Sequence, residues 1–197
     1  MRRIAILCAL VTAFVFMLLL GCRPDEVAAP DNEGIRRTFA QLYSLEFPAS
    51  YSQYASRGVF AASETENGQE QDGTPYIHKL YADFMPYESL ELIQELELMG
   101  EEMDEQVYNE QLTDVYDSLR VVFVVTLYQK QQIAEGADLS AITGFESNTL
   151  LAEWGEYVCY ASTPAWDESG MQGQSLDAYR ELYDDMQKVF DSLQPVQ

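Results

Sequence analysis

Hydrophobic positions along this chain recur mostly at three- and four-residue steps, the spacing that lines one face of an α-helix. Ile35, Phe39, Leu42 and Tyr43 form the first stripe, and Pro48 interrupts it. Tyr51, Tyr54 and Phe60 suggest a weaker second helix. Thr74-Pro75 supplies a capping hydroxyl and then a proline suited to a first helical position, ahead of Ile77, Leu80, Tyr81 and Phe84. Pro86 opens another helix through Leu90, Ile93 and Leu96, with Gly100 as its left-handed end. The longest candidate runs from Glu101 to Glu135 through Val107, Tyr108, Leu112, Val115, Tyr116, Leu119, Val122, Phe123 and Leu127. Thr143-Gly-Phe-Glu146 fits a capping box ahead of Leu150, Leu151, Trp154 and Val158. The last helix is the clearest. Ser175 caps it, Leu176, Tyr179, Leu182, Tyr183, Met186, Val189, Phe190 and Leu193 form its face, and Pro195 ends it.

Two stretches break the periodicity. Ser63 to Thr74 holds no apolar residue and reads as an exposed acidic loop, while Thr163 to Gln174 is a glycine-rich loop carrying Trp166 and Met171. The run Val121-Val-Phe-Val-Val-Thr-Leu-Tyr128 is ambiguous, because its β-branched content also suits a buried strand. No glycine or proline separates it from the helix formers on either side, so it reads as the middle of a central helix. The expected fold is an all-α bundle of about six or seven helices over residues 32–197. The minor alternative is a helical domain with one small β element around 121–128, for which Val59–Ala62 is the one modest partner.

The N-terminus is organised differently. Arg2 and Arg3 precede an uncharged segment from Ile4 to Leu20, which ends in Leu19-Leu20-Gly21-Cys22 and turns polar at Arg23-Pro24-Asp25-Glu26. A positive start, an apolar core and a small residue at the cut form an export signal. Leu19 to Cys22 resembles the lipobox of bacterial lipoprotein signal peptides. That resemblance implies diacylglyceryl transfer to the Cys22 thiol, cleavage between Gly21 and Cys22, and a protein held by its acyl chains on the outer side of a membrane in the cell envelope. Two or more chains anchor a protein stably. An uncleaved anchor is the competing reading, since Ile4 to Leu20 sits at the lower length limit of a spanning helix. On the lipoprotein reading, residues 1–21 are the signal peptide, 22–31 a lipidated tether and 32–197 one domain. With two prolines, the tether reaches on the order of 30 Å at about 3.3 Å per residue.

Charge narrows the partners. Loss of residues 1–21 removes Arg2 and Arg3 and no acid, leaving nine basic residues against 33 acidic ones, a net charge of −24. Nucleic acid is disfavoured as a partner, because its affinity comes from basic residues neutralising phosphates. The bilayer contact is therefore expected through the acyl chains on Cys22, and the protein contact with another envelope component. Solubility explains many of the acids without any site.

Candidate chemistry is sparse. The sequence holds no nucleophile elbow, P-loop, dinucleotide-binding glycine pattern or haem-attachment motif. One histidine, His78, rules out zinc patterns that need two, and beside Lys79 at a helix start it is expected to face solvent. With Cys22 lipidated, Cys159 stands alone in Tyr157-Val-Cys-Tyr160, the setting of a buried inert thiol. No metal or cofactor is expected: neither Asp31-Asn-Glu-Gly34 nor Glu101-Glu-Met-Asp-Glu105 fits a calcium loop. No catalytic residue is assigned. Three residues remain as binding candidates. Glu153 and Glu156 flank Trp154 and Gly155 on an expected helix face, a pair that a ligand- or cation-binding cleft or a carboxylate hydrolase would use. Trp166 is the aromatic to test as a contact. A non-catalytic interaction or assembly-support domain is the leading expectation, with the carboxylate cleft as the alternative.

Overall fold

The ambiguous run 121–128 decides the architecture. It forms most of strand β5 (Arg120–Gln129), and Val122 through Tyr128 are each buried. A strand covered on both faces reads as a continuous apolar run without alternation, which is why helix and strand look alike there. The computed structural model describes residues 35–48, 58–99 and 104–196. The signal segment with Gly21 and Cys22, the tether, Tyr51, Tyr54, Gly100 and residues 101–103 lie outside the described residues.

Among the described residues the fold is mixed α/β, which overturns the expected all-α bundle. The strands are β1 (Ile35–Phe39), β2 (Tyr43–Phe47), β3 (Gly58–Gln69), β4 (Pro75–Pro86), β5, β6 (Ser147–Trp154), β7 (Tyr157–Thr163) and β8 (Gln194–Pro195). The helices are α1 (Tyr87–Met99), α2 (Glu105–Ser118), the short α3 (Leu139–Thr143) and α4 (Gly173–Asp191). A five-stranded antiparallel sheet has the order β3-β4-β5-β7-β6, and a three-stranded one has the order β1-β2-β8. The central strand β5 therefore pairs with β4 and β7; the 59–62 segment pairs with β4 instead.

Local chemistry explains each misread helix. Ile35 to Tyr43 is a hairpin whose Leu42 N–H donates to the Phe39 carbonyl at 2.9 Å. Both central residues, Ala40 (φ 48°) and Gln41 (φ 57°), take the left-handed region that a type I′ turn demands. Neither is glycine or asparagine, so the usual signal is missing. Their strain, about 1–2 kcal/mol each, is outweighed by burial of Phe39, Tyr43, Leu45 and Phe47, each worth roughly 1.5–3 kcal/mol.

Thr74-Pro75 starts a strand rather than a helix. The Asp72 carboxylate accepts from Thr74 N at 2.8 Å and from its hydroxyl at 2.9 Å, and Gly73 sits at φ 90°. These contacts close the turn between β3 and β4, so the apolar-free stretch 63–69 is an edge strand and only 70–74 is a loop. A polar edge strand resists pairing with other chains. Gly144, expected inside a capping box, is the left-handed C-cap of α3 at φ 76°, and Asp138 caps its start. The Leu150–Val158 stripe is a two-residue hairpin in which Trp154 pairs with Tyr157 around Gly155 at φ 50°.

The main core lies between the five-stranded sheet, the β1-β2-β8 sheet and α4. Leu80, Ala82 and Phe84 of β4, Phe123, Val125 and Leu127 of β5, and Cys159 and Ala161 of β7 face it. Ala178, Tyr179, Leu182, Val189 and Phe190 of α4 complete it, as the sequence stripe implies. Tyr183 departs from that stripe and is exposed. The helix starts at Gly173, while Ser175 is buried and binds Glu88 at the head of α1. Pro86 does precede a helix, with Leu90 and Leu96 buried. No helix among the described residues is long and apolar enough to cross a membrane.

A groove on the last helix

One side of α4 carries an aromatic stack that rises from the core to the surface. Phe84 stacks on Tyr179 (centroids 5.5 Å, 27°), and Tyr179 stacks on Trp166 (4.2 Å, 9°). Tyr183, one turn along α4, meets the Trp166 ring at 4.5 Å and 60°. Residues 179 and 183 are neighbours on a helix face, so the platform follows from i, i+4 spacing. Its inner rings are buried, while Trp166 keeps 37% of its surface exposed and Tyr183 keeps 41%.

The loop carrying Trp166 is fixed from both ends. The indole Nε1–H donates to Glu168 at 2.9 Å, and Arg180 forms a two-pronged pair with both Glu168 oxygens at 2.7 Å. The Arg180 bonds first, then the indole, hold the Glu168 carboxyl below the usual range, and Arg180 is raised in return. Arg120 grips the loop through the Ser169 carbonyl at 2.9 Å and lies 3.7 Å from Asp167. Asp167 also caps Ser169 N, and the Ser169 bonds lower its pKa. Burial pushes the Tyr179 hydroxyl up to about 12, so it stays neutral at ordinary pH. Trp166, Glu168, Arg180, Tyr183 and Asp184 together line an open groove of about 460 Å³.

Trp166 is thus the one sequence candidate that the structure places in a formed groove. Arg180 and Asp184 carry no signal beside the apolar stripe of the same helix, and Tyr183 reads as a buried member of that stripe although it is exposed. Glu153 and Glu156 are not on a helix face. Glu153 lies on β6 and pairs with Lys130 at 3.1 Å, while Glu156 sits in the β6–β7 turn, where its carbonyl accepts from Lys130 N. Trp154 between them packs against the main core and Tyr157.

Two polar clusters are built around buried side chains, although Glu64 in the first of them is exposed. His78, expected at the surface, is fully buried, with Tyr43 Oη 2.9 Å from Nδ1 and Glu64 Oε2 2.9 Å from Nε2. This contact ties the small sheet to β4. Next to it, Lys79 donates to Glu70 at 2.5 Å, Tyr128 donates to the other Glu70 oxygen at 2.5 Å, and the ammonium lies over the Tyr76 and Tyr81 rings. Burial first, and then the Glu70 bond, hold Tyr128 far above its ordinary pKa. Cys159 is buried and raised by desolvation, as suits an unreactive thiol. These groups hold strands and turns together. Among the described residues no group of three or more metal-ligating side chains comes together. No protein-family model matches this chain, and no curated protein or solved structure matches it either.

Proposed function

We propose that this protein is a lipid-anchored envelope component whose acidic α/β domain binds another envelope protein through the groove on α4. The observation that carries the reading is the pair of exposed rings, Trp166 and Tyr183, set on a buried stack and lined by charged groups. Aromatic side chains with fixed geometry lose little entropy on binding and anchor most protein interfaces. Rigid support by Tyr179 and by the Glu168–Arg180 pair suits a binding surface better than a flexible loop would. The lipobox resemblance at Leu19 to Cys22 supports the address.

Two experiments test the two halves. A photo-crosslinking residue at Tyr183 in intact cells should give one discrete adduct, while the equally exposed Val107 on α2 should give none. Absence of a position-specific adduct removes the partner reading. Separately, Cys22→Ser should move most of the protein from the membrane to a soluble fraction. Retention of that variant would assign the anchoring to residues 4–20 instead.

A further inference from the structure

The groove's chemistry also specifies what the partner presents, a step that rests on the partner-binding reading above. We infer that it receives a single cationic side chain, from a lysine- or arginine-bearing segment of the partner, against the exposed surface of the Trp166–Tyr183 pair and beside Asp184. Three charged groups line the groove: Glu168, Arg180 and Asp184. Glu168 is spent within the fold, since both its oxygens are taken by Arg180 and one also by the indole N–H. Asp184 forms no ion pair among the described residues; Lys188, one turn on, bonds Asp185 at 2.5 Å and attracts Asp184 only as a weaker electrostatic neighbour. The lining therefore carries a net charge of −1, from two carboxylates and one guanidinium, beside two partly exposed rings set at 60°. A cation over ring faces with a carboxylate alongside gains from both the ring quadrupoles and the charge.

Other occupants fit less well. An anionic ligand would meet Asp184 with Arg180 already engaged, on a chain of net charge −22. A second copy of this chain has few cations to offer among the described residues: its three lysines pair with Glu70, Glu153 and Asp185, and Arg36, Arg120 and Arg180 lie against Glu46, Asp167 and Glu168, which leaves Arg37.

The test uses the purified full-length protein in detergent and a blocked tetralysine peptide, with a blocked tetraglutamate peptide as control. The two tryptophans give two indole N–H signals by NMR, and half-buried Trp154 serves as the internal reference. Tetralysine should shift the Trp166 signal saturably and leave Trp154 in place, and added salt should weaken the effect. Asp184→Asn should weaken it about tenfold, the scale of one charge-assisted contact. No saturable shift, an equal shift by tetraglutamate, or undiminished affinity in Asp184→Asn would each overturn the inference. If the peptide fails while the Tyr183 crosslink succeeds, the groove is the contact and its cation preference is wrong. If the crosslink fails as well, the partner reading falls with it.

Discussion

The β3–β4 turn and the α4 groove are built from the same residue types and do opposite things. Each gathers a carboxylate, a cation and tyrosines. At the turn, Lys79 and Glu70 are almost wholly buried, and Tyr128 takes the remaining carboxylate oxygen. At the groove, the Arg180–Glu168 pair is partly exposed, and Asp184 and two rings are left facing solvent. In the first place every polar group is spent on the fold, and in the second there is a remainder. Function is read from that remainder, not from the composition of the cluster.

The comparison breaks most severely if the buried pair is cut on one side. Lys79→Met should cost about 3–5 kcal/mol, because Glu70 would be left charged in a closed site. Urea unfolding at neutral pH measures it. Adding Glu70→Leu in the same chain should restore a substantial part of that loss, since the orphaned charge is removed too. A cost under about 1 kcal/mol for Lys79→Met, the range of exposed ion pairs, would put the turn in the same class as the groove.

A half-buried carboxyl sharpens the point by lacking a cation. Asp83 lies four residues along β4 from Lys79 and forms no ion pair among the described residues, and burial pushes it up to about 6. The folded state thus holds its proton more tightly than the unfolded chain. Asp83 costs stability above pH 6, and the cost is relieved as pH falls through 6 toward the unfolded value near 4. Asp83→Asn should therefore stabilise the domain at pH 7 by about 1–3 kcal/mol, allowing for its partial exposure to solvent. At pH 4 the same substitution should have almost no effect. Urea midpoints at the two pH values decide it, and equal effects at both would dismiss the titration argument.

The same contrast governs how much was legible in the sequence. The amphipathic face of α4 and the Pro86 start of α1 were readable, because one-sided burial leaves a 3.6-residue period. The strands were not. β5 is covered on both faces and shows no alternation, the β1–β2 turn uses Ala40 and Gln41 where glycine or asparagine would announce it, and β3 is a polar edge held only by its partner. Among the site residues, Trp166 was found because an aromatic in a glycine-rich loop is conspicuous. Asp184 was invisible, because an acid on a helix in an acid-rich chain carries no signal until its neighbours' ion pairs are known. His78 reads as a surface residue for the same reason, since the partners that make its burial tolerable, Tyr43 and Glu64, come from elsewhere in the chain.

The smallest expected changes in stability are at the open end. Trp166→Ala removes the stack on Tyr179, whose geometry is worth about 0.5–1.5 kcal/mol beyond the area it covers. It should also loosen the loop that Glu168 ties to Arg180. Asp184→Asn removes only a weak electrostatic attraction to Lys188 and should change stability by less than about 0.5 kcal/mol, the usual range for a surface substitution. Thermal or urea unfolding of both variants, set beside their tetralysine titrations, separates the two roles. A groove built for a partner predicts that Asp184→Asn loses binding at nearly full stability, whereas Lys79→Met loses stability without any direct contact to the groove. If Asp184→Asn instead destabilised the fold on the scale of Lys79→Met, its carboxylate would belong to the closed class of charges, and no remainder would be left at α4 to recognise a cation.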